Sequence, residues 1–183
     1  VALFPPTRLP KLEFSRGVPA EYRTLVAVPT LLMHKADIEE QLERLEVHFL
    51  SNPEGHLHFA LVTDWPDAPS EQIAGDEELV AALADGIDRL NAKHEGPPAG
   101  GERFLLLHRR RLWNENEGKW IGWERKRGKL HELNELLCGA ADTTFIPVRG
   151  RPPVVPENVR YVITLDADTR LPKGTAYRLV GAM

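Results

Sequence analysis

The sequence predicts an α/β domain on a mainly parallel sheet, and three observations lead there. Runs rich in β-branched, aromatic and leucine residues, at Thr24–Val28, Leu57–Thr63, Arg103–His108 and Val159–Leu165, have the composition of buried strands. Segments of helical apolar period follow the first two of them. Polar residues gather just past strand ends, namely Thr30, Asp64 and the pair Asp166 and Asp168. In parallel α/β sheets that is where ligands bind. Successive β-α units imply parallel strands joined by right-handed crossovers.

Residues 1–23 contain Pro5, Pro6, Pro10 and Pro19 without periodicity and read as an extended lead-in. The domain proper is expected over 24–183. Its first strand is expected to close at Pro29. A helix follows, with Asp37 and Glu40 at capping-box spacing and Ile38, Leu42, Leu45 and Phe49 as its apolar face. Asn52-Pro53-Glu54-Gly55 turns the chain into the second strand, which ends at Asp64. Leu79, Leu83, Ile87 and Leu90 mark a second helix starting near Gly75-Asp76. The glycine- and proline-rich stretch 96–101 is a loop leading to the third strand. A third helix is expected from about Glu124 to Leu137, with Gly139 just past its end as a C-cap glycine. Residues 143–148 suit a short edge strand.

Composition excludes several classes. The chain has 183 residues, 42% of them hydrophobic, enough for one core. A net charge of −4 argues against nucleic acid as a partner. Cys138 is the sole cysteine, so no internal disulfide forms, and it reads as a small buried hydrophobe. No apolar stretch reaches membrane-span length and no signal-peptide pattern opens the chain, so it should be soluble. It begins without Met and stops on Gly181-Ala182-Met183 in apparent mid-helix, which suggests an excised fragment.

The chemistry centres on Asp166 and Asp168. On an extended segment, side chains at i and i+2 point the same way and reach one cation. Hard oxygen donors suit Mg²⁺ or Mn²⁺, which take one or two carboxylates plus substrate phosphates. A solvated pair of loop aspartates is the plain alternative. An EF-hand would need Gly and Glu where Leu171 and Tyr177 stand. A phosphatase of haloacid dehalogenase type would expect Thr or Val where Arg170 stands, and a non-catalytic interaction domain is a third possibility. Asp64 could accept hydrogen bonds from a nucleoside or serve as a turn aspartate. The basic run 125–129 suits a diphosphate or a solvated helix face. His56 and His58 share one side of a strand without further metal-ligand support. Trp113, Trp120 and Trp123 suit sugar stacking or core filling.

Four segments carry a resemblance: Val28-Pro29-Thr30-Leu31-Leu32, Thr63-Asp64-Trp65-Pro66-Asp67-Ala68, Trp123-Glu124-Arg125-Lys126-Arg127-Gly128-Lys129-Leu130 and Thr164 to Pro172. In this order they resemble processive family-2-type glycosyltransferases of GT-A fold, and more closely the cyclic β-1,2-glucan synthases. The resemblance implies a sheet of order 3-2-1-4. It implies an inverting, UDP-glucose-dependent bacterial enzyme of the inner membrane with its catalytic domain on the cytoplasmic face, building glucan on a glucan acceptor. Carried over by position, Thr30 and Asp64 would contact uridine, and Lys126 would hold the diphosphate. Asp166 and Asp168 would bind Mn²⁺ or Mg²⁺, Asp166 also touching the donor. The family's general base belongs to a later Thr-Glu-Asp-like segment that this sequence lacks, so the catalytic base is expected beyond residue 183 and the fragment is expected to be inactive.

Overall fold

The computed structural model describes residues 12–14, 17–98 and 100–183. Most of the expected lead-in, and Ala99 in the glycine-proline loop, lie outside them. In chain order the elements are β1 (Thr24–Leu31), α1 (Lys35–Ser51), β2 (Leu57–Asp64), α2 (Asp76–Lys93), β3 (Phe104–Arg109), β4 (Leu112–Asn114), β5 (Lys119–Ile121), α3 (Arg125–Leu137), β6 (Tyr161–Thr164) and α4 (Thr175–Ala182). Strands β3, β2, β1 and β6 form one all-parallel sheet in that order, as the resemblance implied. This is a Rossmann/GT-A-like architecture. β4 and β5 make a separate antiparallel hairpin.

Strand alternation divides the core. Val26, Val28, Leu57, Phe59, Leu61 and Phe104 face α1, α2 and α4, meeting Leu42, Leu45, Phe49, Leu83 and Ile87. Leu25, Ala27, Ala60, Val62, Leu105 and Leu107 face the other way, against Leu133 of α3 and Phe145. β1 and β2 are buried on both faces, so they lack a polar alternation.

Several boundaries differ from expectation. Pro29 does not close β1, which continues to Leu31. Thr24 and Leu32 donate their N–H groups toward β2, to His56 and Asp64. By alternation the nitrogen of Pro29 faces β6, whose pairing with β1 stops at Ala27. A missing N–H there costs no ladder bond. Helix α1 begins before Asp37: His34 is its N-cap, without a side-chain cap bond, and Asp37 lies in the first turn. There its charge still complements the helix dipole. Residues 143–148 give two isolated bridges, Phe145 with Arg109 and Val148 with Arg151, rather than a strand. Cys138 is exposed, being the C-cap residue beyond the last buried face of α3. Gly139, at φ 93°, takes the left-handed position that terminates that helix.

From β1 the chain runs through β2 to β3 on one side, then returns to place β6 on the other side of β1. The end of β1 is therefore the switch point of the sheet, where a crevice opens in such folds.

Candidate functional site

A cavity of about 740 Å³ opens at that switch point. Thr30 and Leu31 of β1, Asp64 of β2, Trp65, the start of α3 with Lys126, and Ala167 all border it. Another cavity, about 700 Å³, is lined by Arg23, His58 and Glu102 near the opposite strand ends, and by the 151–158 segment. The first holds the clustered charges and most of the residues singled out from sequence.

Its floor is Asp64, only 2% exposed. Arg109 Nε donates to Asp64 Oδ1 at 2.7 Å, and Arg109 Nη2 donates to Oδ2 at 3.0 Å. Lys129 Nζ stands 3.2 Å from the same Oδ2 and donates to the backbone carbonyl of Thr30 at 2.6 Å. Lys129 thereby ties the ends of β1 and β2 together. Burial pushes the Lys129 ammonium below its usual range, with Asp64 opposing that shift. A carboxylate offers about four lone-pair sites. Three donors approach Asp64, so one acceptor site remains, on Oδ1. Gly122 lies directly over this group: a Cβ there would come within 2.8 Å of the Asp64 carboxyl.

Glu132 of α3 completes a charge-balanced buried quartet. It accepts from Arg109 Nη1 at 3.0 Å and from the Thr144 hydroxyl at 2.5 Å. Burial opposes the Arg109 charge, yet Asp64 and then Glu132 hold its pKa above the ordinary value. Removing one partner of such a buried set leaves the others uncompensated and is strongly destabilising.

The wall is Trp65, 6% exposed. His108 meets it edge-on at 4.2 Å, and the Arg111 guanidinium lies 5.3 Å from its ring centre. His108 is neutral, pushed down to about 3 chiefly by burial, and its Nδ1 shares a hydrogen bond of 2.7 Å with the Thr63 hydroxyl.

The rim is softer. Lys126 pairs with Asp166, both side chains more than half exposed. Asp166, Ala167 and Asp168 do not continue β6 as an extended segment. Thr169 N–H bonds the Asp166 carbonyl, which makes a turn, so the extended-strand argument for two carboxylates on one side does not hold. Arg44 of α1 fastens the turn by donating to the Ala167 carbonyl at 2.7 Å. The turn thus hangs between α1 and α3 over the cavity mouth.

The donor set fits a divalent cation in kind: Asp166 and Asp168 are exposed hard-oxygen carboxylates. Among the described residues no group of three His, Cys, Asp or Glu gathers as a metal nest. His56 and His58 form no such group either. His58 is buried, its Nδ1 on the Glu102 carbonyl, its pKa pushed down to about 4 mainly by burial. The tryptophans do not fill the core: Trp113 and Trp123 are exposed, and Trp113 and Trp120 pair at 6.0 Å on the hairpin.

Sequence reading missed Arg109, Gly122 and Glu132, and treated Lys129 as one member of a basic run. The run splits. Arg125, Lys126 and Arg127 are exposed, whereas Lys129 is buried. Arg109 ends β3 and Arg111 lies beyond it; both are fully buried, Arg109 on Asp64 and Glu132 and Arg111 on Asp76, and nothing in the basic triplet 109–111 signals either.

A parallel sheet with an acidic floor, a lysine rim and an aspartate turn at its switch point is a Rossmann/GT-A-like architecture. The sequence comparison narrows this. Over 178 residues, 97% of its length, the chain is 48% identical to the cyclic beta-(1,2)-glucan synthase NdvB of Rhizobium meliloti (strain 1021). It is thereby homologous to one short part of a cyclic β-(1,2)-glucan synthase, spanning 6% of that protein's length. No family model matches the sequence.

Proposed function

We propose that residues 24–183 form the donor-nucleotide half of a glycosyltransferase domain that uses UDP-glucose to build cyclic β-1,2-glucan. One observation carries the reading: Thr30, Asp64 and Lys126, drawn from three separate segments, border a single cavity beside the Asp166–Asp168 turn. The relative's printed activity and the identity over nearly the whole chain support it.

In this reading the uridine enters against Trp65 and Thr30, and its imide N–H takes the remaining acceptor site on Asp64. Lys126 leaves Asp166 and turns to the diphosphate, a charge-assisted contact with a dianionic group. Asp166 and Asp168 would hold Mg²⁺ or Mn²⁺, which when bound neutralises charge on the departing UDP. Lys126 adds electrostatic stabilisation of that leaving group. Inversion requires a base to deprotonate the acceptor hydroxyl. We assign that base to none of these residues, so the chain alone holds the donor without transferring the sugar. The parent enzyme would sit in a bacterial inner membrane with this domain on the cytoplasmic side. Among the described residues no helix is long and apolar enough to cross a membrane.

Calorimetric titration of UDP, with ADP as control and Mn²⁺ present, tests the reading. Heat and a thermal shift with UDP alone are expected. Absence of both would overturn it in favour of a non-catalytic interaction domain.

A further inference from the structure

We propose that Arg109 is the positioning residue of this nucleotide site, one guanidinium that sets both the Asp64 floor and the turn carrying Lys126. The inference rests on the donor-site reading and goes beyond it, because Arg109 lies behind Asp64 and lines no part of the cavity.

Arg109 is the last residue of β3 and is fully buried. Its fork clamps both oxygens of Asp64 and reaches Glu132 on α3. Its Nη2 also donates to the backbone carbonyls of Trp123 and Arg125, at 3.0 and 3.1 Å. Those carbonyls flank a strained turn. Glu124 and Arg125 both have φ of 49°, two consecutive non-glycine residues in the left-handed region. Such conformations persist where surrounding contacts over-determine them. Lys126 follows immediately, and Glu124 gives α3 no side-chain cap. At the surface the Arg125 guanidinium also bonds Asp67 and Glu117, and its N–H bonds the Gly122 carbonyl; from the buried side the strained turn is held by the same group that fixes Asp64.

The consequence concerns relative geometry. Asp64 comes from β2 and Lys126 from α3, and their spacing must match the span from base to diphosphate. A planar five-donor fork can hold a carboxylate and two carbonyls in fixed directions, whereas an ammonium is a point charge on a flexible stem. Lysine at 109 would keep the charge balance and lose the geometry.

Arg103, near the start of β3, supplies the control. It too is buried, and it donates to the carbonyls of Gly55, Leu57, Glu95 and Gly96, remote from the cavity.

The test compares Arg109→Lys with Arg103→Lys in the 183-residue chain, reading amide hydrogen exchange over residues 123–127 and UDP affinity by calorimetry. Arg109→Lys should speed exchange in that segment and weaken UDP about tenfold or more, the scale of losing an orienting partner. Arg103→Lys should lower the melting temperature and leave both readouts unchanged. Adding Glu124→Gly, which relieves the left-handed strain at one of the two positions, should slow exchange again in the Arg109→Lys chain but leave UDP binding weak, because Asp64 stays unclamped. The double variant also serves if the single one fails to fold. Wild-type exchange and affinity in Arg109→Lys, or equal losses in Arg103→Lys, would overturn the proposal. If wild type itself binds no UDP, the donor reading fails separately, and exchange at 123–127 still decides the role of Arg109.

Discussion

The two ends of β3 each bury an arginine, and they use it differently. Arg103 meets neutral carbonyls and the Phe49 ring, and burial lowers its pKa. Arg109 meets two carboxylates, which raise its pKa against the opposing effect of burial. At the first end a lone cation, its charge met only by carbonyl dipoles and an aromatic face, staples loops. At the second, four charged side chains, Arg109, Asp64, Lys129 and Glu132, balance one another below a cavity. A fold that needed only fastening could have used the first solution twice. Ionic groups are costly to bury and are poor evidence of stability, so their concentration at the switch point speaks for a site.

The largest expected effect breaks that contrast directly. Arg109→Met leaves Asp64 and Glu132 buried without their main partner and should cost about 3–5 kcal/mol. Arg103→Met frees carbonyls only, for about 1–3 kcal/mol. Urea denaturation of both variants measures the difference, and a reversed order would contradict it. Next is Gly122→Ala, which presses a methyl group on the Asp64 carboxyl. Overpacking of this kind costs about 1–3 kcal/mol, and calorimetry should show weaker UDP binding.

Acid sensitivity sharpens the comparison, since each end also buries a neutral histidine. The pKa values of His58 and His108 are held down to about 4 and about 3. Unfolded imidazoles protonate below about 6.5. The unfolded chain therefore binds more protons as pH falls from 6.5 toward those values, and stability present above 6.5 is lost across that window. His58→Gln should flatten the decline between pH 6.5 and about 4 without altering UDP affinity at neutral pH. An unchanged slope in denaturation midpoints would refute the assignment. Smallest is Asp168→Ala: an exposed turn residue should shift stability by no more than about 0.5 kcal/mol.

How far the sequence reached follows the same division. Buried strands announce themselves because β-branched and leucine runs have few other uses, so β1, β2 and β3 and the helices between them were legible. Sheet order was not, because alternation fixes the direction of strands but not their neighbours; the resemblance supplied it. Asp64, Thr30 and Lys126 stood out as polar residues at strand ends or in a distinctive run. Arg109 did not, since a basic triplet looks alike whether its side chains meet solvent or carboxylates. The aspartate turn was misjudged locally for a similar reason: nothing in the residues alone revealed that β6 ends at Thr164.

The central proposal is that Asp166 and Asp168 would hold a cation that neutralises a bound nucleoside diphosphate. Without one, two carboxylates face a diphosphate and repel it. Titration of UDP in Mn²⁺ and in EDTA, on wild type and on Asp168→Ala, tests this most directly. The account predicts much tighter wild-type binding with Mn²⁺ and loss of that dependence in the folded variant. Equal wild-type affinity in Mn²⁺ and EDTA would contradict it.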